Sequence, residues 1–156
     1  MNTRQVISTV AAAAIALLGA QSHATTTNTT FDVNITLTAA CTVAAPAAVS
    51  FAYTSLGSAV SATGGGGGTV TCTHLLPFTM FLDDGAGGQA ATASKEYTDA
   101  DKNLTYTLTL NPPALIGTGS AQTYSVGGSM AANQPGKCAT ATCVPTAIAR
   151  TIYVNY

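Results

Sequence analysis

The chain has 156 residues and carries 5 basic and 6 acidic side chains, for a formal net charge of −1 at pH 7. So even a balance leaves no basic patch to hold a phosphate backbone, which argues against nucleic acid as a partner. Only 7% of the residues are charged. A free monomer usually carries more surface charge for solubility, whereas a subunit packed among copies of itself can do without.

The first two dozen residues read as an address rather than as fold. Arg4 gives a positive start, Val10 to Leu18 an apolar core, and Ser22-His23-Ala24 the small-x-small pattern cut by signal peptidase. That core is too short to span a bilayer. The expectation is an export signal over residues 1–24, cleaved between Ala24 and Thr25, with no retained membrane span. About 130 residues then remain, enough for one domain with a proper core.

The first element after the cut is also the most regular. Phe31, Val33, Ile35 and Leu37 fall on one side of an extended chain, with Thr30, Asp32, Asn34, Thr36 and Thr38 on the other. Alternation at period two predicts a strand with one buried face. Further strand candidates recur between turn signals: Cys41–Ala44, Val49–Tyr53, Thr69–Thr73, Phe78–Leu82, Leu104–Leu110, Thr123–Val126 and Ile148–Tyr156. In the last, Ile152, Val154 and Tyr156 share a face. Pro46, the glycine run Gly64–Gly68, the cluster Asp83-Asp84-Gly85, Asn111-Pro112-Pro113 and Gln134-Pro135-Gly136 mark the breaks. The glycine run is expected to be a flexible loop with nothing to pack. No helical period follows the signal, and neither a repeat nor a second domain is visible. The class predicted is all-β, a sandwich of short strands.

Four cysteines in an exported chain predict two disulfides, for which three pairings are open. Cys138 and Cys143 are close enough to clip one loop. That would leave Cys41 and Cys72 to tie the end of the first strand to a later one. A metal site is the weaker reading, because Cys-x4-Cys has no histidine nearby.

Catalytic chemistry finds little support. His74 is the single histidine beyond the signal, and no carboxylate or nucleophile is placed to work with it, so it is expected at a strand end. Asp83-Asp84-Gly85 lacks the alternating ligands and final glutamate of a calcium loop and reads as a plain turn. Asp99-Ala100-Asp101 reads as two exposed acids in a polar loop. Gly64–Gly68 has neither the Lys-Ser/Thr nor the helix of a phosphate loop. Asn28, Asn34 and Asn103 begin sequons of the kind that arise by chance in threonine-rich segments. The expectation is a protein with no catalytic residues, no cofactor and no metal, and not an enzyme.

Several pieces together resemble a known family. An alternating segment runs into Ala39-Ala40-Cys41, and Gly68-Thr69-Val70-Thr71-Cys72-Thr73 follows about thirty residues on. Then come Pro77-Phe78-Thr79-Met80-Phe81-Leu82-Asp83-Asp84-Gly85, Leu104-Thr105-Tyr106-Thr107-Leu108, Gln122-Thr123-Tyr124-Ser125-Val126-Gly127-Gly128 and a closing Thr151-Ile152-Tyr153-Val154-Asn155-Tyr156. This is similar to the chaperone–usher pilins of the archaic branch, the spore coat U domain family. Where that family often has Gly-x-Tyr-x-Asp before its last strand, this chain has Cys138–Cys143 and Ala147-Ile148-Ala149-Arg150.

The resemblance implies an incomplete immunoglobulin-like β-sandwich, residues 41–156, preceded by a donor-strand extension over residues 25–40. Phe31, Val33, Ile35 and Leu37 would enter a neighbour's groove. The implied partners are identical or related pilin subunits in a head-to-tail polymer, a periplasmic chaperone and an outer-membrane usher. The implied place is a pilus (fimbrium) on the cell surface, reached through the periplasm, with adhesion and biofilm formation as its use. The donor-like segment starts so soon after the signal cut that a shaft subunit is expected rather than a two-domain tip adhesin. The alternative is a secreted β-sandwich coat protein that completes itself with its own first strand, or a small binding module.

Overall fold

The computed structural model describes residues 26–145 and 147–156; the expected export signal and its cut at Ala24–Thr25 lie outside them. Residues Leu37–Tyr156 form one compact unit. Eleven strands in chain order build it: β1 Cys41–Ala44, β2 Val49–Ser50, β3 Val60–Ser61, β4 Thr63–Gly64, β5 Gly68–Cys72, β6 Pro77–Leu82, β7 Ser94–Asp99, β8 Leu104–Asn111, β9 Ala114–Ile116, β10 Gln122–Met130 and β11 Ile152–Asn155. No helix occurs among the described residues.

Two layers face each other. One is a sheet in the order β1-β5-β10-β8-β7, with β3 also on β10, and the other is β11-β6-β9. Every pairing is antiparallel. The alternating side chains of both layers meet in one core. Val70 and Cys72 come from β5, Tyr124 and Val126 from β10, Leu108 and Leu110 from β8, and Tyr97 from β7, opposite Phe78, Met80 and Leu82 of β6. Met80 and Val70 are wholly enclosed. Such interdigitation across about 10 Å is how antiparallel sandwiches hold together. The architecture is an incomplete immunoglobulin-like β-sandwich.

Several strand expectations need correction, and β3, β4 and β9 were not foreseen. Phe31–Leu37 lies in no strand, because an extended segment becomes one only where a neighbour takes up its backbone groups. Val49–Tyr53 shrinks to the two residues of β2, and Ile148–Tyr156 to the four of β11. β10 runs on past Val126, through Gly127 and Gly128 to Met130, and β7 was not foreseen. β10 changes partners on the way, pairing with β5 at Gln122–Tyr124 and with β8 from Ser125 onward, so the sheet curls.

The glycine run is not a free loop. Gly64 closes β4 and Gly68 opens β5. Between them Gly65 donates to Ala48 O at 3.2 Å and accepts from Val126 N at 2.8 Å. Gly65 has φ +75°, and a Cβ there would lie 1.9 Å from Val126 O, whereas one on Gly66 would meet nothing within 4 Å. Gly65→Ala is therefore expected to cost about 2–3 kcal/mol from combined strain and clash. Gly66→Ala should be near neutral. Urea midpoints of the two variants provide the check, and equal values would return the run to a loop.

Candidate functional site

The two layers do not close. Among the described residues β1 pairs only with β5 (Cys41 opposite Cys72, Val43 opposite Val70), and β11 only with β6 (Ile152 opposite Leu82, Val154 opposite Met80). Each strand ends its sheet with one row of backbone N–H and C=O groups unpaired. Between them opens a cleft of about 290 Å³, lined by Val43, Ala45 and Pro46 from one side and Arg150, Thr151 and Ile152 from the other, with Tyr124.

The apolar side chains here are under-covered. Ile152 and Val154 pack against the core yet are only half-buried, and Val43 is 42% exposed on the face that turns Val70 fully inward. A bare edge beside uncovered apolar surface is an aggregation hazard that folded domains normally cover. The cleft has the form of a missing strand.

Its walls are fixed by polar contacts. Tyr124 donates from its hydroxyl to Ala44 O at 2.8 Å, at the end of β1. Its ring lies where a Cβ on Gly68 would fall, 2.5 Å away, so only glycine fits opposite it. Burial pushes the Tyr124 phenol pKa upward.

Across the cleft, Arg150 anchors the approach to β11. Its guanidinium lies 4.0 Å from the centroid of the Tyr97 ring. It donates to Tyr106 Oη at 2.8 and 3.1 Å and meets Asp83 Oδ1 at 3.4 Å. Asp83, buried at the end of β6, also accepts from Thr151 N at 2.8 Å and Gly85 N at 2.9 Å. Tyr97 Oη donates to Asp83 O at 2.6 Å. The expectation of a plain turn at Asp83 is corrected: the first aspartate clamps β6 to β11. Asp84 acts within the turn alone, with the N–H groups of Ala86 and Gly88 holding its carboxyl below the usual range.

Burial, reinforced by the Asp83 carboxylate, pushes the Tyr97 pKa up to about 12. The folded state therefore holds this proton more tightly than an unfolded chain, whose tyrosines titrate near 10. Stability from this source is complete below pH 10 and is lost as pH rises toward 12. The denaturation midpoint is expected to fall between pH 9 and pH 11.5. Tyr97→Phe should show a lower midpoint at pH 9 but a shallower decline, and an unchanged decline would discount the cluster.

The other residues singled out from sequence scatter. Phe31, Val33, Ile35 and Leu37 are 83, 69, 86 and 80% exposed, so the face expected to be buried is bare. Cys41 is bonded to Cys72, joining β1 to β5, and Cys138 to Cys143 in the loop before β11. His74 is exposed in the turn between β5 and β6. Asp99 accepts from Asp101 N and Lys102 N and pairs with Lys102 at 3.8 Å, so it is tied down rather than loose. Among the described residues no group of three or more His, Cys, Asp or Glu is placed to hold a metal ion. No helix there is long and apolar enough to cross a membrane. Sequence reading passed over Arg150, Tyr97 and Tyr106. One signal was available: Arg150 is the single arginine after Arg4 and stands directly before the last strand.

A β-sandwich of immunoglobulin-like order, open along one strand position and sealed by a β1–β5 disulfide, is the class these features define. The chain belongs to the spore coat protein U domain family, whose family model matches residues 27–153. That family is associated with chaperone–usher pilus subunits and is a structural pilin domain rather than an enzyme. No curated protein and no solved structure matches the chain.

Proposed function

We propose that the chain is a structural shaft subunit of a chaperone–usher pilus that polymerises by donor-strand exchange. The observation that carries this reading is the cleft between β1 and β11, with an unpaired edge on each side and half-covered Ile152 and Val154 on the β11 side. A strand laid there would satisfy both edges and cover that surface, which is β-strand addition between chains. The exposed alternating segment Phe31, Val33, Ile35, Leu37 supplies a strand of the required kind.

In this reading residues 1–24 are removed on export and residues 25–40 are the extension given to a neighbour. Residues 41–156 are the receiving domain. A periplasmic chaperone fills the cleft first, and at an outer-membrane usher the next subunit's extension replaces the chaperone's strand. Burying four apolar side chains at about 1.5–3 kcal/mol each, plus a backbone ladder, makes the link long-lived. The contact is head-to-tail and does not close on itself, so a filament grows. The fibres stand on the cell surface and serve adhesion and biofilm formation.

Deleting Thr25–Thr38 behind an intact export signal tests this. The expected product is a chaperone-bound subunit absent from fibres. The full chain should run on an unheated denaturing gel as a ladder that collapses on boiling. Filaments from the truncated protein, or a single unheated band from the full chain, would instead favour a sandwich completed by its own segment.

A further inference from the structure

Two exposed apolar side chains stand together at one pole of the domain. Leu75, 71% exposed, sits in the turn after β5, and Ile116, 59% exposed, ends β9. Leu75 N donates to Gly117 O at 2.7 Å, which fixes the two side by side. Leu75 has φ +63°. That left-handed conformation suits glycine or asparagine and is strained for a bulky residue. A leucine held there and left bare is a conformational cost without a folding return, the pattern that marks a functional contact.

The extension leaves the domain at this same pole. Thr73, two residues before Leu75, exchanges hydrogen bonds with Ala40: Thr73 N donates to Ala40 O and Ala40 N to Thr73 Oγ1, each at 3.0 Å. Only Thr38, Ala39 and Ala40 separate Leu37, the last apolar residue of the extension, from Cys41 in β1. Four residue steps reach at most about 13–14 Å. Two domains joined so closely must touch.

The topology says which surface the pole meets. β11 runs from Ile152, beside Leu82, toward Asn155, beside Thr79, and so away from Arg150 and back toward the Leu75 pole. A strand filling the cleft antiparallel to β11, as every pair in this domain is antiparallel, runs the opposite way. Its Leu37 end then arrives at the receiving copy's Arg150 pole. There the segment entering β11 carries Ile148, two residues before Arg150 and 40% exposed, with Val144 81% exposed.

Resting on the donor-strand reading, we propose that Leu75 and Ile116 form a second contact between successive copies of this chain, seated on Val144 and Ile148 of the receiving copy. The joint sets the angle and stiffness of the fibre, while strand insertion sets its permanence.

Leu75→Asn with Ile116→Thr keeps the left-handed turn and the β-branched strand residue but removes the apolar contact. Fibres of this variant should show an unchanged ladder on an unheated gel, while their persistence length in electron micrographs falls at least twofold. The isolated chaperone-bound subunit should unfold at the same denaturant concentration or higher. A benzophenone side chain at position 75 in assembled fibres should cross-link to residues 144–152 of a second copy. If the wild-type ladder forms but stiffness is unchanged and the cross-link stays within one chain or is absent, the joint is refuted alone. If wild-type fibres show no ladder, the donor-strand reading falls and the joint with it.

Discussion

An Ile35→Asp subunit is expected to fold, bind its chaperone and drop out of the ladder of heat-labile polymers seen on an unheated gel. Ile35 is 86% exposed in the subunit itself, so nothing in its own fold is disturbed. The penalty falls on the proposed link. Losing a buried isoleucine forfeits about 1.5–3 kcal/mol, and pushing an unpaired carboxylate into an apolar pocket costs several kcal/mol more. A total of about 5 kcal/mol shortens the life of the link by three to four orders of magnitude, at about 1.4 kcal/mol per decade. Asn34→Asp introduces the same charge one residue earlier, on the opposite face, and should stay within about 0.5 kcal/mol. If the two variants polymerise alike, the assigned face is wrong.

The second large effect is expected from Cys41→Ala with Cys72→Ala. The bond closes a loop of sequence separation 31, for which chain entropy gives about 3.5–4 kcal/mol. Position makes it matter more than that figure suggests. β1 has a partner on one edge only, and Cys41 is opposite Cys72 at the start of that pairing. Without the bond, four residues of β1 hold by their ladder with β5 and by the Tyr124 hydroxyl on Ala44. The cleft would lose a defined wall. A lower denaturation midpoint and weaker chaperone capture should appear together. Cys138→Ala with Cys143→Ala, which frees a separation of 5 residues in an exposed loop, should leave capture intact. Equal losses of capture from both pairs would mean that β1 is not the wall in question.

Much of this architecture could be read from residue patterns, and the exceptions share a cause. β5, β6 and β8 alternate apolar and polar residues because each lays one face on the core, and period two survives wherever that is so. β7, Ser-Lys-Glu-Tyr-Thr-Asp, hid because it is an edge strand that sends only Tyr97 deep into the core. β10 was cut short at Gly127-Gly128, glycines that look like a turn. Gly128 stays in the strand because a Cβ there would lie 2.6 Å from Phe51 and 3.1 Å from Leu108, so close packing demands glycine. The same reasoning explains Gly65 within the glycine run.

The cleft was least legible of all. Its walls come from Val43 to Pro46 and from Arg150 to Ile152, over a hundred residues apart, and no side chain in either stretch signals an unpaired backbone. Sequence showed a spare amphipathic segment; only topology shows where a strand is wanting. Arg150 was overlooked for a related reason. Its value lies in three partners, Asp83, Tyr97 and Tyr106, that are distant in sequence and meet only when β6, β7 and β8 come together.

The enclosure of Arg150 also governs how the domain meets digestive enzymes. Among the described residues the only lysines and arginines are Lys95, Lys102, Lys137 and Arg150. A trypsin-like protease must draw one of these, in extended backbone, into its specificity pocket. Arg150 is wedged over a tyrosine ring and bonded to Asp83 and Tyr106, Lys95 is half-buried within the β7–β8 ladder, and Lys102 is tied to Asp99. Lys137 alone is openly presented. A domain with so few positive side chains, nearly all occupied, offers a trypsin-like protease one open site, at Lys137.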